Sequence, residues 1–108
     1  MKIIKRDGTI VDYNSEKIKV AIQKANAEVS KKYKATDEQI QEIINYIEEL
    51  HKSRILVEDI QDIIEEKLME IGKYELAKVY ITYRYRRALV RKANTTDQSI
   101  KELIEGES

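Results

Sequence analysis

Basic side chains stand where they could hold an anion. Lys5 and Arg6 are adjacent near the N-terminus, Lys17 follows shortly after, and Arg84, Arg86, Arg87 and Arg91 crowd one stretch near the C-terminal end. Lysine offers a mobile point charge and arginine a planar fork of donors, a mixture suited to a triphosphate whose oxygens spread over several ångströms. Tyr74, Tyr80, Tyr83 and Tyr85 flank the arginines. A tyrosine ring beside a guanidinium can stack on a base, and helical spacing equally makes Tyr80 and Tyr83 packing residues with a polar tip. A helix that ends in the bases its dipole prefers is the plainer account of the arginines.

Other chemistries find little support. His51 is the single histidine, which removes Ser-His-Asp hydrolysis and a histidine metal cage. No Cys is present, so thiolate nucleophiles, cysteine metal sites and disulfide scaffolds are excluded. The acids Glu48, Glu49, Asp59, Asp62, Glu65 and Glu66 mostly fall between apolar positions of one helix, which places them toward water rather than in a shared cleft. The glycines are Gly8, Gly72 and Gly106, too scattered for a glycine-rich phosphate loop, so side chains must do most of the holding. The sequence thus predicts no catalytic residue and no metal-ligating residue.

The 108 residues balance 20 Lys and Arg against 20 Asp and Glu, yet the charge is segregated. Residues 1–36 sum to +5, residues 37–70 to −8, residues 71–92 to +6 and residues 93–108 to −3. If the two basic segments meet, they form one positive surface for a polyanion, while the acidic middle discourages wrapping by nucleic acid. An ordinary solvated shell is the alternative. No apolar run is long enough to span a membrane, and Ile3 and Ile4 run at once into Lys5, Arg6 and Asp7, unlike a signal peptide. The expected compartment is cytoplasmic.

These side chains need elements to position them. The apolar set is dominated by 17 Ile, with six Val, six Leu and no Phe. Residues 2–5 and 10–13 flank Asp7-Gly8, which predicts a β-hairpin closed by a two-residue type I′ turn and laid on a core through Ile3, Ile4, Ile10, Val11 and Tyr13. Asn14 or Ser15 caps a first helix carrying Ile18, Ala21, Ile22, Ala25 and Val29 and ending near 28–30. Lys31 to Ala35 reads as a loop. Thr36 and Gln39 match a capping box for a second helix over about 37–50. Residues 51–56 read as a connection to a third helix bearing Ile60, Ile63, Ile64, Leu68 and Ile71, closed by Gly72. A fourth helix runs from Lys73 to near 91, and Asn94-Thr95-Thr96-Asp97 reads as a loop or linker before a short helix with Ile100, Leu103 and Ile104. The fold class is α+β, mostly α: an N-terminal hairpin covering a four-helix bundle over residues 1–92, with 93–108 a linker or short C-terminal helix.

Several stretches then carry a resemblance. Ile3-Ile4-Lys5-Arg6-Asp7-Gly8, Tyr13-Asn14-Ser15-Glu16-Lys17-Ile18 and Ala21-Ile22-Gln23-Lys24-Ala25 resemble the opening of an ATP-cone, the regulatory nucleotide-binding domain at the front of many ribonucleotide reductases. Val57-Glu58-Asp59-Ile60-Gln61-Asp62-Ile63-Ile64-Glu65 and Ala77-Lys78-Val79-Tyr80-Ile81-Thr82-Tyr83-Arg84-Tyr85-Arg86-Arg87 are similar to it as well, the last resembling the anaerobic, class III ribonucleoside-triphosphate reductase type. The resemblance covers residues 2 to about 92 and implies an allosteric domain that binds ATP or dATP and performs no turnover. In the parent enzymes ATP permits reduction and dATP suppresses it.

By the same resemblance, Ile3 touches the base or sugar, Lys5 and Arg6 reach the nucleotide from the hairpin, and Lys17 and Arg86 hold phosphates. Asn14 and Gln61 supply polar contacts around the base or sugar. Departures from the family pattern are Val11 where acids are frequent, Val57 where a threonine commonly caps the third helix and contacts nucleotide, and Gln61 where some relatives have histidine. Mg²⁺ would enter through the phosphates. The implied partners are the purine triphosphate and the catalytic domain or subunit of a reductase, with a homo-oligomer as a further expectation and neither membrane nor nucleic acid among them. A cone domain of a larger reductase and a short independent protein both fit. The competing reading is a helical module that binds protein or RNA through the basic face at 84–92; a cone that folds without binding nucleotide is a third.

Overall fold

A computed structural model describes the backbone of residues 1–106 and the side chains of residues 1–93. Three short strands and four helices follow in the order β1 (Lys2–Ile4), β2 (Ile10–Asp12), α1 (Ser15–Asn26), α2 (Asp37–Glu49), β3 (Arg54–Leu56), α3 (Val57–Glu70) and α4 (Tyr74–Gly106), with a 3₁₀ turn at Lys31–Tyr33. The chain is α+β and mostly α.

The hairpin pairs Ile3 with Val11 and Ile4 with Ile10, but its turn differs from the expected two-residue form. Lys5 N–H donates to Thr9 O at 2.8 Å, so Arg6, Asp7 and Gly8 form a three-residue loop. Gly8 N–H donates back to Lys5 O at 2.9 Å and Gly8 alone takes a positive φ, +86°, while Thr9 N–H donates to Asp7 Oδ1 at 2.9 Å. A turn followed by one left-handed glycine is the usual three-residue hairpin solution, and it leaves Asp7 its ordinary φ. Arg6 therefore stands inside the turn rather than on the strand. Strand alternation also sends Ile10 outward, 46% exposed, while Ile3 is buried and Val11 and Tyr13 pack against the core.

A third strand, not legible as such in the sequence, completes the sheet. β3 runs parallel to β1, pairing Ile55 with Ile3, and the order β2-β1-β3 puts β1 in the middle. Ile55 is buried beside Ile3, so the sheet presents two neighbouring isoleucines to the helices. The core continues through Ile18 and Ile22 of α1, Ile40, Ile43, Ile44 and Ile47 of α2, Ile60, Ile64 and Leu68 of α3, and Leu76, Ala77 and Tyr80 of α4.

Helix ends follow local chemistry. Asn14 caps α1, its Oδ1 accepting from Glu16 N–H at 3.0 Å. The helix stops at Asn26, earlier than its apolar pattern predicts. The Asn26 side chain instead clasps Ala35 in both directions, at 2.9 and 3.0 Å, closing the intervening loop. Thr36 and Gln39 form the reciprocal capping box at the start of α2. Leu56 precedes α3 without a side-chain cap. At its far end Gly72 is left-handed, φ +79°, and Lys73 and Gly72 donate to Leu68 O and Met69 O, a Schellman closure.

The expected break near residue 91 does not occur: α4 continues through Asn94–Asp97 to Gly106. Neither Gly nor Pro falls between Lys73 and Glu105, and Asn, Thr and Asp each cost a helix only about half a kcal/mol. The side chains of Ile100, Leu103 and Ile104 lie outside the described residues.

Candidate functional site

Between the hairpin and the helices lies an apolar slot of about 210 Å³. Ile3 and Val11 from the sheet, Ile18 and Ala21 from α1, Val57, Ile60 and Ile64 from α3 and Tyr80 from α4 line it, with Lys5, Asp12, Tyr13, Asn14, Lys17 and Gln61 as its polar members. Tyr13 contributes a buried hydroxyl with no hydrogen-bond partner among the described residues, and burial together with the Glu48 charge pushes it above the usual phenol range. Burial likewise pushes the Tyr80 hydroxyl up to about 12, so it stays neutral at any physiological pH.

A second cavity of about 500 Å³ lies between α1 and α4 and has the opposite character. Its charged lining is Arg6, Lys17, Lys24, Arg84, Arg87 and Arg91 against the single acid Glu16. Lys17 and Lys24 stand two turns apart on one face of α1, and Tyr80, Tyr83, Arg84, Arg87 and Arg91 recur at three- and four-residue steps on α4. Asn14, Lys17, Ala21, Gln61 and Tyr80 line both cavities, so the slot opens directly into the cationic space.

The cations are not equivalent. Arg84 Nη1 reaches Asp62 at 2.7 Å and Glu65 at 2.8 Å, bracing α3 against α4. Partial burial pulls against its charge, but the bonds it donates to Glu65 and Asp62 outweigh that and hold the guanidinium above its ordinary value. Arg6 Nε lies 3.1 Å from Glu58 Oε1, and its Nη2 donates to Gln61 Oε1 at 2.7 Å. Arg87 sits over the Tyr83 ring and donates to its hydroxyl at 3.3 Å. Lys17 and Lys24 have no ion-pair partner among the described residues. Arg91 is pushed below the usual guanidinium range, first by desolvation and then by the charges of Arg6 and Arg87. The cavity thus concentrates like charge, which an incoming anion would relieve. Among the described residues no group of three or more His, Cys, Asp or Glu side chains could hold a metal.

The structure brings Ile3, Lys5, Arg6, Asn14, Lys17, Val57 and Gln61 around this joined space. Arg86 is not with them. A helix turns about 100° per residue, so Arg86 falls between the steps that face α1 and is exposed elsewhere, while its neighbour Arg87 lines the cavity. Lys24, which the sequence does not single out, also lines the cavity. The signal was present, since Lys17, Ala21 and Lys24 follow the same helical face. His51 is exposed just past α2 with φ +51° and lines neither cavity.

Residues 1–89 match the ATP cone domain family. The chain is 37% identical over its whole length to the ribonucleoside-diphosphate reductase subunit alpha of Chlamydia trachomatis, covering 11% of that protein. It is 38% identical to the anaerobic ribonucleoside-triphosphate reductase of Haemophilus influenzae, with 95% of the chain and 15% of the relative covered. It is 36% identical to the vitamin B12-dependent ribonucleoside-diphosphate reductase of Mycobacterium tuberculosis, with 85% and 13% covered. The chain therefore spans only about an eighth of the length of these relatives, and no helix among its described residues is long and apolar enough to cross a membrane. A hairpin and helices enclosing a slot that opens onto a nest of cations, together with a family match over most of the sequence, make this chain a member of the ATP-cone family.

Proposed function

We propose that the chain binds a purine nucleoside triphosphate, ATP or dATP, as an allosteric regulatory domain for a ribonucleotide reductase. One observation carries the reading: an apolar slot and a strongly cationic cavity meet end to end, sharing Asn14, Lys17 and Gln61 at their junction. The base occupies the slot among Ile3, Val11, Ile18 and Val57, with Lys5 at its edge. The ribose lies at the junction, within reach of Asn14 and Gln61. The phosphates enter the cavity toward Lys17, Lys24, Arg87 and Arg91, with Arg6 closing from the hairpin. Mg²⁺ enters with the phosphates, held chiefly by their oxygens and water.

The chemistry asked of these residues is binding and transmission. Phosphates would neutralise side chains that now repel one another across the hairpin, α1 and α4, drawing the three elements together. ATP and dATP differ by one hydroxyl, so opposite outputs require a polar group at the junction that is left unpaired when the hydroxyl is absent. The output passes to the catalytic part of a reductase.

Calorimetry of the full chain with ATP, dATP and GTP tests the reading. Saturable binding of ATP and dATP is expected, with Lys17→Ala weakening both by about tenfold or more at unchanged helicity. Salt-sensitive RNA binding that ATP does not displace would favour the RNA-binding module instead.

A further inference from the structure

Two arginines at the cationic cavity are already engaged by carboxylates, and they are engaged differently. Arg84 is held by Asp62 and Glu65, with the Glu65 side chain only 18% exposed, between two regular helices. Arg6 belongs to the three-residue turn of the hairpin and reaches across to the first turn of α3, where it meets Glu58 and Gln61. The Glu58 side chain is 56% exposed, so this pair is lightly held and open to competition from water or another anion. A guanidinium turned toward a carboxylate cannot also present the same N–H groups to a phosphate.

We propose that Glu58 is an affinity- and selectivity-determining residue: an internal anion that occupies Arg6 until the outer phosphates of a polyphosphate displace it. The proposal rests on the nucleotide reading for where the phosphates lie. Arg6 lines the cationic cavity and not the apolar slot, so a ligand must extend away from the base to reach it. A triphosphate has both the reach and the charge to take Arg6 from Glu58. A monophosphate in the same slot leaves the pair closed. Glu58 therefore lowers triphosphate affinity, and its displacement releases the hairpin turn from α3 when the long ligand binds.

The experiment titrates the full chain with ATP, AMP and inorganic tripolyphosphate by calorimetry. It compares the wild type with Glu58→Gln, Glu58→Ala and Glu66→Gln, the last removing an exposed charge on α3 that borders neither cavity. Both Glu58 variants are expected to bind ATP and tripolyphosphate about three- to fivefold more tightly, as suits an exposed pair, with AMP unchanged and Glu66→Gln resembling the wild type. The gain disappears when Arg6→Ala is added. Equal affinities for the Glu58 and Glu66 variants, or a gain that survives loss of Arg6, overturn the proposal while leaving nucleotide binding intact. Tripolyphosphate binding that tightens in the Glu58 variants without any ATP binding supports the role of Glu58 and overturns the nucleotide reading. Absence of binding by either ligand in every variant overturns both.

Discussion

The cationic cavity has a counterpart on the other side of the bundle. Between α2 and α3 lies a groove of about 400 Å³ bordered by Glu42, Glu49, Glu70, Tyr46 and Lys67, close in size to the 500 Å³ of the basic space. The two differ in how their charge is balanced. In the groove Lys67 stands 3.0 Å from Glu70 and 3.7 Å from the centre of the Tyr46 ring, and the Glu70 bond raises its proton affinity. In the basic cavity Arg6, Lys17, Lys24, Arg84, Arg87 and Arg91 face one lining acid, and Arg91 is disturbed partly by its own neighbours. Volume does not distinguish the two spaces; the sign of the lining does, with six bases against one acid in the cavity and three acids against one base in the groove.

Substitutions can break this contrast. The largest effect is expected for Arg87→Ala, which should weaken ATP binding by about tenfold or more while Arg86→Ala changes it less than twofold. Equal losses would place the phosphates on the outer face of α4. Next in size, Glu65→Ala removes a mostly shielded partner of Arg84 and should cost about 1 kcal/mol in urea unfolding, with ATP binding no weaker because another positive charge is released into the cavity. A loss of ATP affinity there would make the Arg84 brace part of the binding surface. The smallest effect belongs to the groove: Lys67→Ala should leave ATP affinity within twofold and lower the thermal midpoint only slightly, as expected for an exposed pair. A larger change in nucleotide binding would mean that the two regions communicate.

Much of this arrangement is legible in the sequence. The apolar period locates four helices because each buries one stripe, and Thr36 with Gln39 marks the start of α2 because their side chains answer each other's backbone. β3 was hidden because Arg54-Ile55-Leu56 is too short to show alternation; it is extended by pairing with β1, a contact between residues far apart in sequence. The hairpin turn is one residue longer than the sequence predicts because Asp-Gly fits both a two-residue loop and the end of a three-residue one. At the site, seven of the eight expected residues gather round one space, since they belong to the hairpin and to the starts of α1 and α3, where position is fixed closely by the elements' first residues. Arg86 lies much further along its helix. One residue of offset there turns a side chain through about 100°, enough to exchange it with Arg87.

The length of α4 carries its own consequence. The rod that lines the cavity from Tyr80 to Arg91 continues for fifteen more residues to Gly106, about 22 Å at the helical rise. Pivoted near Arg91, a tilt of about 5° would swing the distal end by about 2 Å, so a movement too small to notice around a phosphate becomes a displacement large enough to change which atoms meet at the far tip. A ligand in the cavity would sit on the short arm of such a lever.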